Sequence, residues 1–408
     1  MTDPTAPGAG DTPTSAHRPP AEDPAAGDQR AEKRVSWAEL FFDLVFVFAV
    51  TQVSAAMGHD HSGAGLLRAL ILLVPVYWLW VGTTIQVNQL DIDRAPLRIM
   101  VFAVALAAVF MALAVPGAYG DAGLLYALAY WAGRMVLGTD VVRRAVREGQ
   151  WPVNPYTISM AVTGPLLVVG ALAHGGLREA LWALAAVGDL SSPTILRARL
   201  SRIHLDAGHL AERFGGFVLI ALGESVVAVG ASAQSGHGLS ALAGLAVAAA
   251  FALSCALWWV YFHFAADAVR HSLATAKVQL DITRLVLSYG HLSFIAAIII
   301  IAVGMHEAVA HPGQQLSGAV AGLLFGGTAL YLATFGFTRW AMFRLVSVTR
   351  LTAAAVVLLL WPAAPLVPAL AALAGLAVVV VILNVVELLR VNQIGWRARL
   401  QSRGDDAE

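Results

Sequence analysis

Apolar runs about as long as a lipid bilayer is thick recur along almost the whole chain, and they constrain its fold more than any other feature. A helix rises about 1.5 Å per residue, so crossing a hydrocarbon core of about 30 Å takes about 20 mostly apolar residues. Twelve such segments are present, at 37–57, 65–87, 97–116, 122–142, 155–174, 177–191, 213–233, 238–264, 282–304, 316–338, 348–366 and 367–390. The sixth is short and ends at Ser191-Ser192-Pro193. In lipid every backbone N–H and C=O needs a partner inside the protein, and continuous runs of this length meet that need as helices. Composition agrees: 58% of the 408 residues are apolar or aromatic, 13% are charged, and the mean hydropathy is +0.71. An ordinary cytosolic enzyme, a disordered regulator and a nucleic-acid binder are excluded, because each needs a charged surface that this chain lacks. The expectation is an all-α membrane protein of about 12 transmembrane helices whose main partner is the lipid bilayer.

Net charge is zero, 26 basic against 26 acidic residues, so placement matters more than balance. Of the 26 Lys and Arg, 23 fall in the two tails, in every second connection or in the segment ends beside those, leaving Arg68 and Arg178 near the opposite face and Arg134 inside the fourth segment. The positive-inside rule then predicts an even number of crossings with both termini cytoplasmic. Residues 1–33 read as a disordered cytoplasmic tail, since the first 30 hold 6 of the 17 prolines and little apolar surface. They contain no apolar core of a signal peptide, so the first segment is expected to stay as an anchor. Residues 396–408 read as a second cytoplasmic tail.

Six crossings return a chain to its starting side, so two six-helix halves, 34–205 and 206–395, would be parallel repeats. Two short matches point that way. Ala38-Glu39 recurs as Ala211-Glu212, 173 residues on, and Tyr77-Trp78-Leu79-Trp80 resembles Trp258-Trp259-Val260-Tyr261, 181 residues on.

Ionisable groups inside spans are expensive and mark either a polar pathway or a paired network. Glu39 and Asp43, at i and i+4, share one helical face and read either as a cation or proton site or as a pair bonded to Arg134 or backbone. Glu224, next to Ser225 in a glycine-rich seventh segment, reads as a mid-membrane proton or ion ligand, or as a neutral carboxyl bonded across helices. His209, Glu212 and Arg213 offer two metal ligands or a charged clamp at a helix mouth, with a solvated helix entrance as the plainer reading. His263 and Asp267 at i and i+4 carry the same two readings, and His291 lies at the entry of the ninth segment. His306-Glu307 with His311 has the wrong spacing for a zinc-protease motif. No phosphate loop, dinucleotide fingerprint or GxSxG is present, and no cofactor is expected. The single cysteine, Cys255, excludes an internal disulfide and thiolate metal clusters.

The run from Trp37 to Gln52, WAELFFDLVFVFAVTQ, closely resembles the opening of the bacterial low temperature requirement A family. His209 to Gly215, leading into Ala221-Leu222-Gly223-Glu224-Ser225, resembles that family's second hallmark. The resemblance covers about residues 33 to 395 and implies a multi-pass protein of the bacterial inner membrane connected with growth in the cold, without supplying a reaction or substrate. A fainter similarity links Phe42 to Phe46 to the first helix of endolysosomal-type potassium channels made of six-helix repeats. Position 42 is Phe where that motif has Ser, and Gly216 stands opposite Asp43 in the second half, so the similarity is one of fold. The leading expectation is a carrier or channel for a small solute or ion, with Glu39, Asp43, Glu224 and Ser225 as site residues. An intramembrane metal-dependent enzyme on a lipid or envelope precursor, using His209, Glu212, His263 and Asp267, is the second reading. A non-catalytic sensor or scaffold is the third.

Overall fold

The computed structural model describes residues 35–405 apart from 93, 150–152, 201–204, 235–239 and 264–265. The expected N-terminal tail lies outside the described residues. Each of the twelve apolar segments is helical over most of its described residues: α1 (Trp37–His59), α2 (Gly63–Asn88), α3 (Ala95–Ala114), α4 (Gly123–Arg147), α5 (Pro155–Leu172), α6 (Gly176–Ile195), α7 (Ala207–Gln234), α8 (Ala241–Phe262), α9 (Gln279–Ala310), α10 (Gly318–Phe343), α11 (Val348–Leu366) and α12 (Ala369–Asp405). No strand occurs among the described residues. The backbone of α12 runs on past its apolar stretch, so the expected C-terminal tail begins as helix.

Helix starts follow local chemistry. Ser36, Ser62, Ser240 and Ser317 each accept a backbone N–H of the first turn of α1, α2, α8 and α10, satisfying a donor that a helix start otherwise leaves bare. At Ser36 the capping is reciprocal: the Glu39 carboxylate accepts the Ser36 N–H at 2.8 Å while Ser36 Oγ accepts from Glu39 N at 3.3 Å.

Among the described residues ten helices are long and apolar enough to cross a membrane, all but α4 and α6. Those two span 25 and 20 residues, so their length suffices. They fall short on apolarity, because α4 carries Arg134 and Asp140 and α6 carries Arg178, Glu179 and Asp189. Most of that charge is turned inward. Arg134 donates to Ser159 Oγ at 2.6 Å, Ser159 donates to Asp189 Oδ1 at 2.6 Å, Thr163 reaches the same oxygen at 2.7 Å, and Tyr130 bonds the other. A π-helical turn at Ser159–Thr163 in α5 sets both hydroxyls on Asp189.

Along α1 the usual soluble pattern is inverted: Glu39, Phe42, Asp43 and Phe46 are buried while Leu40, Phe41, Leu44 and Phe48 are exposed. An apolar outer surface over a core that contains charge is what a lipid solvent selects. The packing partners repeat along the chain. In the first half α1 packs on α2 and α3, α3 on α4, α4 on α5, α5 on α6, and α2 on α6; in the second α7 packs on α8 and α9, α9 on α10, α10 on α11, α11 on α12, and α8 on α12. The halves meet where α1 and α2 touch α7 and α9.

Candidate functional site

Where α1, α2 and α7 meet, four charged or titratable side chains are buried together: Glu39 (1% exposed), Asp43 (3%), His209 (0%) and Arg213 (2%). Arg213 Nη2 lies 2.9 Å from Asp43 Oδ1, an oxygen that also accepts the Trp80 indole N–H at 2.7 Å, and the same nitrogen reaches Thr84 Oγ1 at 3.3 Å. The guanidinium also sits over the rings of Phe42 and Trp80, at 5.9 and 5.8 Å. Glu39 uses one carboxylate oxygen in the capping box and presents the other to His209 Nε2 at 2.9 Å and Arg213 Nη1 at 4.0 Å. Glu39 and Asp43 reach this point together because i and i+4 share a face. His209 and Arg213 do so for the same reason on α7.

The tautomer of His209 follows from its neighbours. Asp206 N–H donates to Asn88 Oδ1 at 2.9 Å, which turns the Asn88 amide so that Nδ2 faces Asp206 O and His209 Nδ1, each at 3.0 Å. Nδ1 therefore accepts, the ring proton is on Nε2, and it points toward Glu39. Asp206 also caps α7 through His209 N at 2.9 Å. With a neutral imidazole, two carboxylates face one guanidinium. Glu39 Oε1, His209 Nε2, Arg213 Nε and Arg213 Nη1 are buried without an aligned hydrogen bond, so the cluster is tightly packed yet polar.

Glu224 is elsewhere. It lies eleven residues beyond Arg213 on α7, about 16 Å along the helix axis. Between the two stands an aromatic layer: Phe217 stacks on Trp80 at 4.2 Å and contacts Tyr77 at 6.0 Å and Phe46 at 6.5 Å. Beyond that layer a cavity of about 510 Å³ opens between α1, α7 and α9. Glu224 lines it and is 4% exposed, Ser54 lines the same wall, and Glu224 Oε2 has no aligned partner. Thr51, His59, His306 and Glu307 supply the other polar wall.

The remaining candidates divide. Ser225 is buried but turned away, donating to Leu222 O at 2.7 Å and facing Ser254 at 3.5 Å. Arg134 belongs to the Asp189 network and does not approach Glu39 or Asp43, whose basic partner is Arg213. His209 and Arg213 are not a solvated helix entrance, because α2 covers them with Thr84 and Asn88. Glu212, one residue away, faces outward and is exposed. Asp267 is exposed and pairs with Arg270 at 3.0 Å; His263 is exposed against the Trp259 ring. His291 is buried, bonded to the Tyr261 hydroxyl at 2.7 Å and Val286 O at 2.9 Å. Among the described residues no three His, Cys, Asp or Glu side chains are grouped to hold a metal ion.

Sequence reasoning missed the pair Arg350 and Glu387. Nε and Nη2 of Arg350 each lie 3.0 Å from a different oxygen of Glu387, Thr349 adds a bond at 2.8 Å, and the Phe335 ring lies 4.5 Å from the guanidinium carbon. A signal was available, since Glu387 is the acidic residue of the last apolar run.

Buried charge held inside an apolar-surfaced helical bundle defines a polytopic membrane protein. The chain belongs to the bacterial low temperature requirement A family, whose model matches residues 34–385. An uncharacterized protein of Rhizobium meliloti (strain 1021) is 30% identical over 312 residues, covering 74% of this chain and 76% of that one. No solved structure matches the chain.

Proposed function

We propose that this protein is a carrier for a small solute or ion in the bacterial cytoplasmic membrane, with both termini in the cytoplasm, all twelve helices crossing, and two duplicated halves meeting at α1, α7 and α9. The single observation that carries the reading is Glu224: a buried carboxylate with an unpartnered oxygen, lining a cavity open at one end of those helices. An ionised carboxylate buried in a membrane span is expensive unless something pairs with it. At the other end, where the basic loops lie, Arg213 ties α7 to Asp43 of α1 and the aromatic layer fills the space between. One open compartment and one sealed by breakable ion pairs is the arrangement that alternating access requires. The repeated packing pattern supports duplication.

The metal-dependent enzyme reading gains no support, because His209 is committed to Asn88 and Glu39 while Glu212, His263 and Asp267 face outward. The test is Glu224→Gln, which keeps shape and most hydrogen bonding but removes the titrating group. The variant should express and melt like the wild type while complementation of growth in the cold is lost in a strain lacking the gene. A sensor or scaffold predicts the reverse, with Gln tolerated; a fully active Glu224→Gln protein would sink the carrier reading at this site.

A further inference from the structure

We infer that the cavity at Glu224 binds a primary ammonium group carried on a short apolar stem. This rests on the cavity being the carrier's substrate site. The first argument is sign: the titratable groups facing Glu224 are His59 on α1 and His306 and Glu307 on α9, and no Lys or Arg is among the described residues lining the cavity. A positive ligand is therefore the missing partner of the carboxylate.

The second argument is shape and surface. At about 510 Å³ the cavity falls within the range of small-molecule sites, about 300–1,000 Å³, and far exceeds the space a bare ion fills. A hard cation needs about six oxygens at close range. Here the oxygen-bearing side chains of the wall are the carboxylates of Glu224 and Glu307 and the hydroxyls of Ser54 and Thr51, Thr51 already donates to Val47 O at 3.0 Å, and among the described residues no three His, Cys, Asp or Glu side chains are grouped to hold a metal ion. The rest of the wall is largely alanine and valine, including Ala228, Ala302 and Val303, which suits a hydrocarbon stem and not a hydration shell.

The third argument is donor geometry. A quaternary ammonium is recognised by aromatic faces, and no Phe, Tyr or Trp is among the described lining residues. An N–H-bearing ammonium matches what is present: a carboxylate oxygen without a partner and serine and threonine hydroxyls in the same cavity wall. Such a group occurs on soluble alkylamines and on the phosphatidylethanolamine headgroup.

The experiment is a melting titration of the purified full-length protein in detergent micelles, since a ligand of the folded state raises the melting temperature by mass action. The additives are butylammonium chloride, butanol, sodium chloride at matched ionic strength, and phosphatidylethanolamine or phosphatidylcholine with the same acyl chains. A saturable rise with butylammonium identifies a soluble amine; a rise with phosphatidylethanolamine alone identifies the headgroup. In either case Glu224→Gln should weaken the half-saturating concentration about tenfold or more, and Ser54→Ala about threefold, as expected for a charged and a neutral hydrogen bond. Should Glu224→Gln fail to purify, the Ser54→Ala titration decides alone. Equal rises with butanol, sodium chloride or phosphatidylcholine, or no rise with any ammonium, overturn the inference. Ammonium binding without flux in proteoliposomes would overturn the carrier reading alone. Flux of an uncharged or anionic solute that Glu224→Gln abolishes would keep the carrier and overturn the ammonium site.

Discussion

The four buried groups Glu39, Asp43, His209 and Arg213 behave as a unit, because removing one partner leaves another charge in the interior. Breaking a buried ion pair typically costs about 3–5 kcal/mol, whereas replacing both members by uncharged residues is far milder. Asp43→Asn and Arg213→Leu should each lower the melting temperature markedly, and the double variant should recover much of the loss; additive losses would show that the two do not interact. Asn88→Ala should act through His209 instead. It removes the donor that makes Nδ1 an acceptor, so the imidazole Nδ1 and Nε2 resonances of the variant should report a changed tautomer by NMR of ring-labelled protein. An unchanged spectrum would refute the tautomer assignment. Half of this cluster was legible from sequence: the spacings 39/43 and 209/213 put each pair on one face. Their partnership was not, because nothing in a chain records that two faces 170 residues apart are pressed together.

Among elements, α6 shows how a polar helix is kept in this bundle. Arg178, near its start, is buried and donates to four backbone carbonyls, those of Ala171 and Ala173 at the end of α5 and of Ala118 and Gly120 beyond α3, at 2.7 to 3.1 Å. Those of Ala171 and Ala173 are carbonyls that a helix end leaves unsatisfied. A guanidinium spans them with its fork and an ammonium cannot, so Arg178→Lys should destabilise by about 2–3 kcal/mol, read by thermal unfolding. Gly123→Ala should act on the same group, since its added Cβ would stand 2.9 Å from Arg178 Nη1 and 2.6 Å from Ala118 O. A melting temperature matching the wild type for both variants would refute this role. In sequence Arg178 is only a charge on the sparsely basic side; its four acceptors come from two other segments.

For the whole molecule, the placement of 23 of 26 basic residues predicts an orientation. Reporter fusions near residues 60 and 235 should report the periplasm and those near residues 148 and 345 the cytoplasm. The decisive fusions flank α4 and α6, the two helices whose composition falls short of a membrane span. If either does not cross, reporters on its two sides will agree, and the duplicated twelve-helix reading fails with it. Opposite reports are expected, because Arg134 and Asp189 already have partners and do not have to face lipid.

Sequence alone determined the class of this protein. Apolar segments of bilayer length and the alternation of basic loops are local or additive properties, and a local property needs no knowledge of what packs against it. The motif around Glu39 and that around Glu224 also identified the family before any contact was known. Only the tertiary structure decided what the polar residues do. Glu39 and Glu212 each follow an alanine in the short sequence match between two helix openings, yet one is buried against His209 and the other is exposed. Asp43 and Glu224 looked like members of one site, and an aromatic layer separates them. The physical reason is that the free energy of a charge inside a membrane depends on its partner and on the path to water, and both are supplied by helices distant in the chain.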